Sequence, residues 1–103
     1  GKRKIKTEEA LEREFILPGE GQVLGVVVSM LGYDRMLVKC FDGKQRLCRV
    51  RGKLKRRVWI RKGDIVLVAP WEFQDDRGDI IIRYTTGQVE RLKKMGYIKE
   101  EFE

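Results

Sequence analysis

The chain has 103 residues, of which 38% are charged, with a formal net charge of +7 and no histidine. This length fits one domain that buries its own core, and no apolar run is long enough for a transmembrane helix. The commonest general base is absent, so composition disfavours an enzyme. The charged N-terminal segment lacks the apolar centre of a secretory signal, and we expect a cytoplasmic protein.

Residues 1–18 predict a flexible charged N-terminal tail. Four basic residues near the N-terminus precede a glutamate-rich run from Glu8 to Glu14, and Pro18-Gly19 ends the segment. Such termini are usually mobile unless other parts of the protein tie them down. A short helix within the glutamate-rich run is an alternative.

The segment from Gln22 to Tyr84 predicts five closely spaced strands, which are VLGVVVSM, RMLVKCF, QRLCRV, DIVLVAPW and DIIIRY. Three consecutive valines in the first suit a strand buried on both faces, and Gly25 suggests a bend or bulge. Asp42-Gly43 predicts a hairpin between the second and third strands. Closure of five strands into a small barrel would remove the exposed sheet edges, so the sequence predicts an all-β barrel.

The segment TGQVERLKKMG, from Thr86 to Gly96, predicts a helix. Thr86 is a candidate cap, and Gly96 fits a C-terminal stop. Val89, Leu92 and Met95 form an apolar stripe at helical spacing, which we expect to pack on the barrel. A short acidic end follows the helix.

The cysteines and aspartates give little support for catalysis or metal binding. Cys40 and Cys48 alone do not make a four-ligand zinc site, and we expect free thiols in the core; a disulfide is the alternative in a hyperthermophile. Asp75, Asp76 and Asp79 could bind Mg²⁺, as a metal-dependent nuclease would need, but such residues more often form solvated turns. We predict neither a metal nor a cofactor.

Positive charge is concentrated between Gly43 and Gly63, in what we call the basic segment. This segment contains ten basic and no acidic residues, whereas the rest of the chain has 13 basic and 16 acidic residues and a net charge of −3. Because the positive charge is local, the sequence predicts a polyanionic partner.

An amphipathic helix for a membrane or a peptide-binding groove is one interpretation of the basic segment, since Val50, Leu54 and Val58 lie four residues apart. Gly52 and Gly63 bracket the span, however, and the run VWI favours a strand. A connector between the third and fourth strands that ends in an extended VWI fits better.

Alternation along an extended VWI places Val58 and Ile60 on one face and Arg57, Trp59 and Arg61 on the other. The aliphatic pair is the natural core side. Trp59 would then stack on an unpaired base while its cationic neighbours bind phosphates. Alternatively, its ring packs over one end of the barrel, and spacing alone leaves both interpretations open.

The same alternation applies to the hairpin of the second and third strands. If the side that carries the cysteines is the core, Lys39, Phe41 and Arg49 share the outer face, where many oligonucleotide-binding barrels bind nucleic acid. Arg46 falls on the core side, and we expect it near a strand end, reaching solvent. The basic residues would supply affinity through phosphates and would not read sequence.

The run CFDGKQRLCRVRGKLKRRVWIRKGDIVLV resembles translation initiation factor one-A of archaea and eukaryotes, relatives of bacterial initiation factor one. The flanking GQVLGVVVSMLG and DIIIRYTTGQVERLKKMGY also fit, so that the resemblance covers residues 19–98. It implies an OB-fold barrel at residues 19–84 and a C-terminal helical addition at residues 85–103.

The resemblance also implies binding to small-subunit ribosomal RNA at the decoding A site. There the family occupies the position of an incoming transfer RNA and supports initiator tRNA placement with other initiation factors. The RNA-contacting run of the family falls on Lys53, Lys55, Arg56, Arg57 and Trp59. Eukaryotic members carry a long acidic C-terminal tail that binds the subunit-joining GTPase, whereas this chain stops at Glu103. We therefore expect an archaeal type, for which the sequence leaves contact with that GTPase open. We also expect a monomer.

Residues and resemblance together predict an RNA-binding surface. Its candidate residues are Lys39, Phe41, Arg46, Arg49, Arg51, Lys53, Lys55, Arg56, Arg57, Trp59, Arg61 and Lys62. A general single-stranded RNA chaperone of the cold-shock kind is the alternative function. That class displays several aromatic side chains on the barrel, and here only Phe41 is well placed.

Overall fold

Five strands and one helix are formed by the residues that the computed structural model describes, which are 15–32, 34–50 and 60–98. They are β1 (Val23–Met30), β2 (Arg35–Cys40), β3 (Gln45–Val50), β4 (Ile65–Pro70), β5 (Arg77–Arg83) and α1 (Thr86–Lys94). All five predicted strands are confirmed. Phe41 and Trp71 lie just beyond the ends of β2 and β4, and β5 begins two residues before the predicted Asp79.

The strands close into a barrel in the order β1-β2-β3-β5-β4, and β4 pairs again with β1. Every pairing is antiparallel except that of β3 with β5, which is parallel. The predicted five-stranded barrel is therefore confirmed, and its topology is consistent with an OB-fold. Because β3 and β5 are neighbours, residues about thirty positions apart in the chain come side by side.

Alternate residues of the strands fill the barrel interior. Met36, Val38 and Cys40 of β2 are buried there, as the alternation predicts, and Cys48 of β3 lies beside them. Both cysteines are free thiols, which confirms the prediction for them. Burial raises the pKa of both thiols, that of Cys48 to about 12, so each stays neutral near pH 7.

The first strand bends at a different residue from the one predicted. The register of β1 against β2 shifts between Val27 and Ser29, so the irregularity lies at Val28. Gly25 has another role: a Cβ atom there would lie 2.5 Å from Cγ1 of Val38, so only glycine permits this close approach. Val27 is fully buried, whereas Val26 and Val28 are only partly buried. The first strand is therefore less buried on its second face than the three consecutive valines predicted.

Helix α1 is capped one residue earlier than predicted. The Thr85 hydroxyl accepts a hydrogen bond from the Gln88 backbone N–H at 3.2 Å, and the Gln88 side-chain oxygen accepts one from the Thr85 N–H at 2.9 Å. Thr85 is thus the N-cap of a reciprocal capping box, and Thr86 is the first helical residue. At the other end Gly96 has a φ of +90°, as its predicted role in stopping the helix requires.

The helix covers the outside of the barrel over a second apolar cluster. Its buried members are Leu24, Leu67, Tyr84, Leu92 and Ile98. Val89 packs against this cluster, so the predicted packing of the helical stripe is confirmed for Val89 and Leu92, whereas Met95 is half exposed. Within the described part of the chain no helix is long and apolar enough to cross a membrane.

The last residues of the predicted tail are packed against this same cluster. Phe15 and Leu17 contact it, and the Tyr84 hydroxyl donates a hydrogen bond to the carbonyl of Ile16. The Arg91 guanidinium lies 4.3 Å from the centroid of the Phe15 ring. The packed domain therefore begins before the predicted boundary at residue 18, while residues 1–14 lie outside the described part of the chain.

Candidate nucleic-acid interface

The C-terminal end of the basic segment is a tight turn tied to β1. The Arg61 N–H donates to Oδ2 of Asp64 at 2.8 Å, and Gly63, with a φ of +94°, donates its N–H to the Val27 carbonyl at 2.8 Å. Glycine adopts this conformation without strain. The turn leaves Arg61 and Lys62 exposed, as the prediction of an RNA-binding role requires.

The centre of the basic segment, residues 51–59, lies outside the described residues. The predictions for Arg51, Lys53, Lys55, Arg56, Arg57 and Trp59 therefore remain predictions. Ile60, which directly follows, is buried in the barrel core, in agreement with the alternation that assigned it to the core side.

The outer face of the hairpin carries Lys39 and Arg49, which are both exposed as predicted. Arg49 lies directly opposite Arg35 of β2. Its Nε atom is 3.7 Å from Oδ1 of Asp79, and 57% of its side chain remains exposed. A pair this long and this exposed contributes little to stability, so the guanidinium is available to another anion.

Phe41 was expected on this outer face as a stacking platform, and the structure gives it a packing role. It does lie outside the barrel interior, but it is half-buried and packs against the cluster that α1 covers. Its backbone N–H donates to the Leu24 carbonyl at 2.8 Å. Because its ring contributes to packing, Phe41 offers less area to an unpaired base than a fully exposed ring would.

The expectation that Arg46 reaches solvent is wrong, because its side chain is only 3% exposed. Its two terminal nitrogens bind both carboxylate oxygens of Asp42 at 3.1 and 3.2 Å. One of them also binds Oδ1 of Asp75 at 3.0 Å, and Nε donates to the Asp75 carbonyl at 2.7 Å. Arg46 thus remains on the core side because carboxylates from two loops surround it. This arrangement does not support a role for Arg46 in binding RNA.

These contacts neutralise the N-terminal end of the basic segment. A hydrogen bond from Arg46 lowers the pKa of Asp42, and hydrogen bonds first from Lys44 and then from Arg46 lower the pKa of Asp75. Both carboxylates are therefore ionised near pH 7. The count of ten positive charges overstates the free charge, because Lys44 and Arg46 are paired with acidic residues outside or at the edge of the segment.

Asp75 and Asp76 of the β4–β5 loop and Asp79 of β5 form hydrogen bonds or ion pairs with other residues of the barrel. Asp75 pairs with Arg46, Asp79 accepts a hydrogen bond from Nε1 of Trp71 at 3.2 Å, and the Asp76 carbonyl accepts one from the Leu47 N–H at 2.9 Å. Among the residues that the structure describes, no group of three Cys, Asp or Glu side chains is arranged to hold a metal ion.

The sequence analysis missed one group of residues on the outer face. A cavity of about 140 Å³ is lined by Arg35, Leu47, Cys48, Arg49, Trp71 and Arg77. We call it the Trp71 cavity. Arg77 reaches it because β5 pairs in parallel with β3, where Arg77 lies opposite Leu47. No local sequence pattern signals a pairing between residues thirty positions apart, and in the sequence Arg77 resembles any solvated loop charge.

Comparison with known protein families gives one family match that spans most of the chain. A family described as Translation initiation factor 1A / IF-1 matches residues 12–103. Translation initiation factor 1A of Methanopyrus kandleri is 56% identical over 88 residues, which are 85% of this chain and 79% of that protein. The factor of the same name from Saccharolobus solfataricus is 42% identical over 99 residues, which are 96% and 92% of the two chains.

Solved structures of similar fold include the solution structure of translation initiation factor IF-1 from the Wolbachia endosymbiont of Brugia malayi. It is 31% identical, with a TM-score of 0.51, over 69% of this chain and 84% of that one. The crystal structure of YjeQ from Thermotoga maritima is 29% identical, with a TM-score of 0.53, over 62% of this chain and 23% of that one. The matches to initiation factors agree with the resemblance found in the sequence.

Proposed function

Because the chain belongs to the translation initiation factor 1A / IF-1 family, we propose that it binds small-subunit ribosomal RNA at the decoding A site. Family membership identifies a translation initiation factor and implies association with the ribosome. The proposal adds that the protein supports initiator tRNA placement together with other initiation factors. It acts as a cytoplasmic monomer and catalyses no reaction.

The observation that carries the proposal is the uneven pairing of charge along the basic segment. Its N-terminal end is neutralised, whereas Arg49, Arg61 and Lys62 are exposed on the barrel. The exposed residues lie on both sides of residues 51–59, which hold five further basic residues and only Gly, Leu, Val and Trp besides. A surface with this excess of cations favours a phosphate backbone.

The residue types favour recognition of RNA shape. Lysine and arginine side chains bind phosphates in any sequence, and an indole such as that of Trp59 stacks on any base. The closed barrel supplies a rigid support for these side chains. This chemistry suits a factor that occupies one fixed place on structured RNA, where shape selects the site.

The salt dependence of binding to isolated small ribosomal subunits tests the mechanism. If five or six phosphates are neutralised, the logarithm of the association constant should fall with the logarithm of the salt concentration with a slope of roughly −4. Lys62→Gln should make this slope shallower by roughly 0.7 to 1, because one phosphate contact is lost.

Lys94→Gln is the matched control, since it removes one exposed charge from the far end of α1 and should leave the slope unchanged. A flat salt response of the unmodified protein would contradict the phosphate-driven mechanism. Competition with unstructured RNA separates the proposal from a general RNA chaperone, which would show no preference for the subunit. A footprint on small-subunit RNA outside the decoding A site would contradict the proposed position.

A further inference from the structure

We propose that the loop between β4 and β5 inserts the ring of Phe73 into an apolar pocket of a basic protein on the small ribosomal subunit. We call residues 72–76, EFQDD, the acidic loop. The inference rests on the proposed function for the place where the two proteins meet. It goes beyond that function because it assigns a contact with protein to a loop outside the basic segment.

Phe73 presents almost its whole ring to solvent. It is 93% exposed, whereas the next most exposed large apolar residues of the described part of the chain, Leu31 and Met95, are 55% and 50% exposed. Burial of a phenylalanine removes roughly 150–250 Å² of surface from water, and aromatic residues are enriched in protein interfaces. The ring is therefore suited to anchor a contact with a partner.

Backbone hydrogen bonds hold the acidic loop in one conformation. The Trp71 N–H donates to the Arg77 carbonyl, and the Arg77 N–H donates to the Gln74 carbonyl, both at 3.0 Å. The Leu47 N–H of β3 donates to the Asp76 carbonyl at 2.9 Å and ties the loop to the barrel. Because the loop is ordered before a partner arrives, little conformational entropy is lost when the ring is bound.

The charge of the acidic loop favours a basic protein as the partner. The loop contains three carboxylates and no basic residue. Asp75 is paired with Lys44 and Arg46, whereas Glu72 and Asp76 are exposed and form no ion pair with the residues that the structure describes. Stacking of the ring on an RNA base would bring these carboxylates close to phosphates of the same sign. Lysine or arginine side chains around an apolar pocket would attract them.

The position of the acidic loop explains why such a partner lies beside RNA. Trp71 and Arg77, which flank the loop, line the Trp71 cavity together with Arg35 and Arg49. The sign of the charge thus reverses between the arginines of this face and the loop next to it. When the arginines face RNA, the loop lies at the edge of the contact, where a basic protein bound to the same RNA would complement it.

Photocrosslinking of the full chain to isolated small subunits identifies what the ring contacts. The variant Phe73→p-benzoylphenylalanine reacts with neighbouring C–H bonds under near-ultraviolet light. We expect a crosslink to a subunit protein, which protease removes and ribonuclease does not, within a peptide that carries lysine or arginine. The same amino acid in place of Lys94, which is exposed on α1, should not give this product.

Affinity for the same subunits measures the contribution of the ring and of its charged surroundings. Phe73→Ser should raise the dissociation constant by about fivefold or more, because an interface anchor is lost. Met95→Ser, at the other exposed apolar side chain of α1's end, is the matched control and should leave it unchanged. Glu72→Gln should raise the constant by about twofold to threefold if the neighbouring surface is basic, and should lower it if that surface is RNA.

Several outcomes would overturn the assignment. A crosslink to RNA, or tighter binding by Glu72→Gln, would show that the ring stacks on a base. A crosslink to a second copy of this chain would show self-association, and an unchanged affinity of Phe73→Ser would show that the ring has no partner on the subunit.

The proposed function fails in a different way from the docking of Phe73. A footprint at the decoding A site together with an unchanged affinity of Phe73→Ser would leave the proposed function intact and would refute only the docking. A footprint elsewhere together with a crosslink from position 73 to a basic protein would refute the proposed position and support the docking. Absence of binding to small subunits would refute both.

Discussion

Two arginines of β3, Arg46 and Arg49, lie three residues apart on opposite faces of the strand and have opposite environments. Arg46 is 2% exposed and is surrounded by oxygens of Asp42 and Asp75. The Arg49 side chain is 57% exposed, with one long ion pair to Asp79. The same side chain in the same strand is therefore a structural element at one position and an available cation at the other.

The energetics of charge burial explain why these environments differ. A buried guanidinium must have its donors satisfied, since the loss of hydration is otherwise too costly. Arg46 meets this requirement by joining the β2–β3 turn to the β4–β5 loop. An exposed guanidinium keeps its hydration and gains little from a carboxylate nearby. Arg49 can thus exchange a weak contact with Asp79 for a phosphate, whereas Arg46 cannot leave its partners without loss of stability.

The largest expected effect is on stability when each arginine is replaced by methionine. Arg46→Met should lower the free energy of unfolding by about 2–3 kcal/mol, because it removes charge-assisted hydrogen bonds to Asp42 and Asp75. Arg49→Met should change it by less than about 0.5 kcal/mol, as is usual for an exposed site. Urea unfolding at pH 7 measures both values. Equal losses would show that the difference in burial has no energetic consequence.

Sequence alternation placed both arginines on the correct faces but could not supply the partners of Arg46. Asp42 is near in sequence, whereas Asp75 is 29 residues away and comes close only because β5 pairs with β3. The interior side chains of β2 and β3 were predictable, since period-two alternation depends on local geometry alone. The Trp71 cavity was not, because it needs the parallel pairing that closes the barrel.

Two smaller errors of the sequence-based predictions, at Phe41 and at the helix cap, also arise because local patterns do not show which contacts a side chain makes. Phe41 follows the alternation on the outer face, yet α1 returns over that side of the barrel and its cluster takes up the ring. Thr85 and Thr86 are both suitable caps by residue type, and only the hydrogen bonds to Gln88 distinguish them. Local rules therefore located the elements and their faces, while contacts between distant elements decided the environment of each side chain.

Acid should selectively weaken the contacts of Arg46 with Asp42 and Asp75. The pKa values of Asp42 and Asp75 are lower in the folded protein than in the unfolded chain. Their contribution to the free energy of unfolding is therefore present above the unfolded pKa of about 3.9, and it is lost as the pH falls through the lower folded pKa values. Without histidine, stability should change little between about pH 5 and 8.

Urea unfolding at pH 7 and at pH 3 measures this acid loss. Asp42→Asn should reduce the loss, because the variant lacks one of the two carboxylates that must be protonated. Asp64→Asn is a useful control, as Asp64 binds a backbone N–H of its own turn and does not contact Arg46. If Asp42→Asn loses as much stability in acid as the unmodified protein, the Arg46 cluster is not the source of the effect.

The smallest expected effect is a gain of affinity at the Arg49 end. Asp79→Asn retains an oxygen that can accept the Trp71 hydrogen bond but removes the carboxylate that pairs with Arg49. With one negative charge fewer, binding to small subunits at low salt should tighten by about twofold to threefold and depend more steeply on salt. Asp75→Asn is the matched variant at the other end and should lower stability without tightening binding, since its charge faces Arg46 and Lys44. Equal gains from both variants would mean that the subunit responds to net charge alone, and the contrast between the two arginines would then not extend to binding.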